Sequence, residues 1–190
     1  AGLVAARREL LAATQPNAAH EAVAQLERRH PHFWLITQNV DGLHRAAGSR
    51  QLSEIHGNIW KVRCTGCRRV SDNRDVPIQI LPICADCHSL LRPHIVWFGE
   101  SLAEQDLQES YAALDACDMC LIIGTSGVVY PAAGFAAIAK EAGAFIADIN
   151  LSSMPPMSVR EGHIGDLPIR LFRAGFTGEQ GFEVNLPPDH

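Results

Sequence analysis

"MCLIIG" at residues 119–124, "PAAGFAAIAKEAG" at 131–143 and "AFIADIN" at 144–150 decide the fold. The first and last are apolar runs of strand length, and the alanine-rich segment between them has helical composition. Strand, helix, strand in that order is a βαβ unit, and such a crossover joins parallel strands. The expected class is therefore α/β with an open parallel sheet. "FWLIT" at 33–37 adds another uniformly apolar run, of the kind that becomes a strand buried on both faces. Upstream, residues 3–14 and 17–29 carry apolar positions at helical spacing, and "QPN" between them supplies a break with Asn17 as N-cap.

Ligands of open parallel sheets bind beyond the carboxyl ends of the strands. Here those ends lead into "QNVDG" (38–42), "GTSG" (124–127) and the surroundings of Asn150, three polar loops expected along one edge.

The totals narrow the function classes. The 190 residues carry a net charge of −5 with no long Lys/Arg run, which argues against nucleic acid as a partner held through phosphates. Apolar runs fall short of the roughly 20 residues of a membrane-spanning helix, so no membrane partner is expected. The N-terminus shows no secretory pattern, and a cytoplasmic address is the expectation.

Residues 61–92 change character to basic, polar and turn-rich sequence. Cys64, Cys67, Cys84 and Cys87 form C-x2-C-x16-C-x2-C, which suits two thiolate knuckles on one tetrahedral zinc ion. Disulfides or free thiols are the alternative. Four sulfurs close the shell, so a metal there holds a module together and leaves no place for a catalytic water. Cys117 and Cys120, beside an apolar strand, read as buried structural thiols. His56, in "LSEIHGNIWKVRCTGC" (52–67), has no vacancy to fill at such a metal; on the residues alone it is either a structural histidine or a base.

Taken together, "TQNVDGLHRAAGSRQLSEIHGNIWKVRC", the paired CxxC, "LRPHIVWFGE", "CDMCLIIGTSGVVYPAAG" and "ADIN" resemble the sirtuins, NAD-dependent protein lysine deacylases, over about residues 3–150. The nearest likeness is to the subgroup that removes succinyl, malonyl and glutaryl groups. The resemblance implies a Rossmann-type domain (1–60 and 93–150) with an inserted zinc-ribbon module (61–92), and NAD meeting an acylated lysine of a protein or peptide in the cleft between them. His56 matches the general base, and an imidazole titrating near neutrality suits that role. Gln38, Asn39 and Asp41 match the loop that holds the nicotinamide ribose and carboxamide. Gly124, Thr125 and Ser126 match the nucleotide-binding turn, and Asn150 the adenosine-ribose contact. Val96, Trp97, Phe98 and Gly99, with Val128, Val129 and Tyr130, match the two segments between which the substrate peptide lies as an added strand.

Three departures qualify that picture. The family's Gly-Ala-Gly-x-Ser phosphate loop and its preceding strand do not occur in these 190 residues, so weakened NAD binding and a sheet with unpaired backbone are expected. At the Tyr-x-x-Arg pair that reads an acidic acyl group, Val4 stands at the tyrosine position and Arg7 at the arginine. Residues 151–190 depart altogether: "RAGFTGEQGFEV" resembles the aminomethyltransferase-like region of the sarcosine oxidase alpha subunit, with Glu183 at a pterin-contact position. Two rival functions follow, a non-catalytic zinc- and peptide-binding remnant and a fragment of a folate-dependent one-carbon enzyme.

Overall fold

The structure, a computed structural model, describes residues 2–125, 127–148, 159–164, 167–173 and 182–185. Two helices lead, α1 (Gly2–Ala12) and α2 (Ala18–Arg29). Asn17 caps α2 as expected: its side chain accepts from the His20 backbone N–H, and the His20 ring returns a bond to the Asn17 N–H. That reciprocal pairing satisfies two of the amides a helix start leaves open.

Two parallel pairs follow. Strand β1 (Leu35–Thr37) lies beside β2 (Leu52–Glu54), with the short helix α3 (Leu43–Ala47) between them in sequence. Later in the chain, β6 (Met119–Ile122) lies beside β7 (Phe145–Asp148), crossed over by α5 (Phe135–Glu141), as the βαβ reading expects. Among the described residues no ladder joins β1 to β6, so the parallel sheet is two two-stranded pieces. One core nevertheless holds both: Ile55, Leu114, Phe135, Ala139 and Ala144 are buried together, with Ile36 of β1 and Cys120 and Ile146 of the second pair packed against them. Leu114 comes from α4 (Glu104–Ala116). With one ladder instead of two, β1 is half-buried except at Thr37, less enclosed than its composition suggests.

Between the pairs stands an antiparallel sheet, ordered β4 (Val70–Asp72), β3 (Gly57–Cys64), β5 (Leu91–Ile95). Its strands run from Gly57 to Ile95, so residues 61 and 92 fall within strands of one continuous sheet. The β3–β5 register shifts between Asn58 and Val62, a bulge that takes Ile59, Trp60 and Lys61 out of the β5 ladder. Beyond residue 158 the backbone forms an antiparallel meander, β8 (Val159–Ile164), β9 (Leu167–Arg173) and β10 (Phe182–Asn185). The first of these, β8, is hidden in the sequence by the charged and glycine residues of "VREGHI". Among the described residues no helix is long and apolar enough to cross a membrane.

Gly57 is where the chain passes from the parallel pair into the antiparallel sheet. Its φ is +82°, and a Cβ built there would lie 2.1 Å from the His94 carbonyl oxygen. Both facts demand glycine, one by conformation and one by space. Gly57→Ala is expected to destabilise the protein by more than ~2 kcal/mol, read as a fall in the thermal midpoint; an unchanged midpoint would show that β5 gives way there.

Candidate functional site

The loop 38–42 leaves the carboxyl end of β1 and is held at three carbonyls. His56 Nδ1 lies 3.2 Å from the Gln38 oxygen. Ile59 N–H donates to the Val40 oxygen at 2.8 Å, and Trp60 Nε1–H donates to the Asp41 oxygen at 2.8 Å. Each donor comes from the chain just after β2 or from β3, so the loop is mounted on the strand that ends at Cys64. Gly42 closes the loop at φ +76°, tight against Trp60 and Asn58. Asp41 Oδ1 then accepts the Leu43 N–H at 2.8 Å at the start of α3.

The His56 contact fixes chemistry as well as position. A carbonyl oxygen can only accept, so in the neutral ring the proton sits on Nδ1 and the lone pair on Nε2. An imidazole locked in that tautomer offers Nε2 as a proton acceptor. Behind it, Glu54 is a buried carboxylate held by Asn58 Nδ2 at 2.6 Å, Arg45 Nε at 3.0 Å and Lys61 Nζ at 3.7 Å. A buried carboxyl group is costly without such partners.

Gln38 reaches across to the second parallel pair: its Nε2 donates to Thr125 Oγ1 at 2.9 Å, and Thr125 Oγ1 also accepts the Gly127 N–H at 3.3 Å. The turns after β1 and β6 are thereby brought together, as the parallel-sheet argument expects. Gly124 sits at φ +62° and Gly127 at φ +65°, with open space where a Cβ would go. Asn39 and Thr125 are exposed, while Gln38 and Asp41 are half-buried. Ser126 and Asn150, both expected at this edge, lie outside the described residues.

Two flanking segments expose apolar side chains. Val96 N–H donates to the His56 oxygen at 3.0 Å, which ties the start of residues 96–99 to the His56 backbone; Phe98 is 99% exposed and Trp97 43%. Val128 and Tyr130 are likewise exposed at 72% and 79%, with Val129 half-buried. Glu100 clasps the first segment, accepting the Trp97 N–H at 3.0 Å and pairing through both oxygens with Arg92. The Arg92 guanidinium, and after it the Trp97 amide, lower the Glu100 carboxyl from its ordinary 4.5 to about 2.

On α1, Arg7 is exposed and Val4 is buried against Ile59 and Trp60. The arginine sequence reasoning passes over is the next one: Arg8 is fully buried.

Cys64, Cys67, Cys84 and Cys87 bring four sulfurs within 4.8 Å of one another. Cys64 and Cys87 Sγ are 3.3 Å apart, and Cys67 and Cys84 Sγ 3.9 Å. Tetrahedral zinc with bonds of about 2.3 Å separates its sulfurs by about 3.8 Å, so the group fits. Two knuckle amides, of Gly66 and Cys67, already point at Cys64 Sγ at 3.4 Å. The thiols cannot all ionise unaided. Hydrogen bonds from the Ser89 amide and hydroxyl bring Cys87 down to about 6. For Cys67 the Arg69 amide favours the thiolate, but the neighbouring sulfurs together with desolvation push it up to about 11. A dication supplies the missing counter-charge. Cys117 and Cys120 are half-buried, and burial raises both thiols.

The Sir2 family model matches residues 3–131. Over 158 residues the chain is 44% identical to an NAD-dependent protein deacylase of Aquifex aeolicus, covering 83% of this chain and 66% of that protein. It is 40% identical over 176 residues to the mitochondrial NAD-dependent protein deacylase sirtuin-5 of Canis lupus familiaris, covering 78% and 57%. A solved Sir2 homologue in complex with NAD superposes with a TM-score of 0.73 at 44% identity, over 77% of this chain and 58% of that one. The Rossmann-type α/β expectation is borne out by that likeness. The chain spans between 57 and 66% of the length of these relatives.

Zinc analysis should find one ion per chain, and Cys84→Ser should lower zinc affinity by more than the roughly 10–100-fold lost when only an outer-shell partner is removed. Full zinc retention in that variant would refute the four-sulfur site. The Glu100 clasp carries a separate pH signature. A folded carboxyl held below its unfolded value contributes stability that is fully present above pH 4.5 and is lost as pH falls through about 2. The difference in thermal midpoint between wild type and Glu100→Gln should therefore shrink as pH drops from 5 towards 2; a difference that stays constant over that span argues against the clasp.

Proposed function

Since this chain belongs to the Sir2 family, we propose that it serves NAD-dependent removal of acyl groups from protein lysine, with release of nicotinamide and O-acyl-ADP-ribose. The observation that carries the reading is the His56 Nδ1 contact with the Gln38 carbonyl, which leaves Nε2 as acceptor beside a loop of amide and carboxylate groups. The names of relatives at 40–44% identity support it.

NAD supplies an electrophilic ribose carbon and nicotinamide as its leaving group. In this reading His56 Nε2 takes the proton of a ribose hydroxyl and returns it later. Asn39 and the second oxygen of Asp41 read ribose hydroxyls and the carboxamide through directional hydrogen bonds. Gln38 spans to Thr125, and Gly124 stands at the nucleotide end, a role the family resemblance also assigns to Ser126 and Asn150. The substrate peptide lies as a strand between Val96–Gly99 and Val128–Tyr130, so that main-chain pairing admits many sequences. Zinc on the four cysteines is structural.

The finer reading is an acidic acyl group. It draws support from the sirtuin-5 relative and from Arg7, exposed on α1, where a guanidinium can take a carboxylate bidentately. Val4 at the tyrosine position is buried among apolar side chains, which leaves Arg7 as one recogniser in place of two. We read residues 151–190 as a segment joined from another family. Its "RAGFTGEQGFEV" motif supports this, as does the antiparallel meander that contrasts with the parallel pairs before it.

A second reading, zinc and peptide binding without turnover, draws on the four-sulfur cluster and on the exposed apolar side chains of Phe98, Val128 and Tyr130. An NAD titration separates the two, with saturable binding required for the first. His56→Ala should then slow nicotinamide release on an acylated peptide by roughly 10²–10⁴-fold at unchanged zinc content; undiminished release would refute the base.

A further inference from the structure

The bulge in the β3–β5 ladder leaves Ile59 without a strand partner on β5. Its N–H goes to the Val40 oxygen, and its carbonyl is taken by Arg8, whose Nε and Nη2 donate at 2.9 and 2.6 Å. Arg8 Nη1 reaches on to Asn73 Oδ1 and, at 3.3 Å, to the Asp75 oxygen, while the Asn73 N–H donates to the Trp60 oxygen at 2.8 Å. The guanidinium carbon also stands 5.6 Å from the Trp60 ring centroid, with that of Arg74 at 5.1 Å. One fully buried guanidinium thus fixes the two residues, Ile59 and Trp60, whose own N–H groups hold the carbonyls of Val40 and Asp41.

We propose that Arg8 is a positioning residue for the 38–42 loop: it secures Ile59 and Trp60, and through them the register of Asn39 and Asp41, without touching that loop itself. The role is specific to arginine. Two parallel donors converge on one carbonyl while a third points to Asn73, and a lysine ammonium has no such fork. The choice of the 38–42 loop as the element that matters for turnover rests on the proposed function; the mechanical link does not.

Arg8→Met keeps the stem and removes every donor, and Arg8→Lys keeps the charge without the fork. In both, solvent exchange of the Trp60 indole N–H should accelerate about tenfold or more, the protection one lost hydrogen bond represents, while the Ile146 amide in β7 exchanges as before. The Michaelis constant for NAD should rise by a similar factor, with kcat within about twofold. Asn73→Ala, which leaves the Ile59 contact intact, should leave the indole protected. An unchanged indole in a folded Arg8→Met or Arg8→Lys protein overturns the proposal, and so does faster exchange spread equally to β7, which would mark a merely structural arginine. Failure of the wild type to bind NAD would count against the proposed function alone, because the exchange comparison uses no NAD.

Discussion

At Gly57 the backbone adopts φ +82° and passes so near β5 that a methyl group would meet the His94 carbonyl oxygen at 2.1 Å. That close approach sets where β3 begins, and β3 links the surroundings of His56 to the cysteine cluster. One residue before it stands His56, and at its far end is Cys64, the first metal ligand. Moving β5 away by the width of one methyl group would displace Val96, whose amide is bonded to the His56 carbonyl, along with residues 97–99 that follow. Interiors packed at crystal-like density have little slack for such a shift.

The buried charges near this crossing, Glu54 and Arg8, are both partnered, which explains why charge is tolerated there. Glu54 is shared among Asn58, Arg45 and Lys61 and lies two residues before His56. Arg8 answers the carbonyl that the bulge sets loose. A half-satisfied network in a low-dielectric setting costs more than an apolar core, so these contacts act as a set. They also explain how a loop as polar as 38–42 keeps one shape: three of its carbonyls are tied to β3 or to the residue before it. Exposed Phe98, Val128 and Tyr130 show the opposite economy, apolar surface left outside the core on both flanking segments.

Much of this was legible before any coordinates. The crossover strands, the Asn17 cap and the four-cysteine cluster each follow from spacing over a few residues, because local geometry there dictates which residue types fit. Resemblance marked His56 as the proposed base; its tautomer was not legible, since that depends on the Gln38 carbonyl 18 positions away in sequence. The shared core of Ile36, Cys120 and Ile146 was not legible, because it joins side chains far apart in the chain.

Arg7 and Arg8 show the limit most plainly. The sequence by itself determined a helix with two adjacent arginines, and helical propensity does not distinguish them. Neighbours on a helix point about 100° apart, so when one side of α1 packs on β3 only one of the pair can turn inward. Tertiary structure chose Arg8, because the bulge at Ile59 presents a carbonyl that β5 does not reach, and left Arg7 exposed. Composition and spacing fix which groups are available; which of them meets an unpaired backbone atom is decided only when distant strands fall out of register.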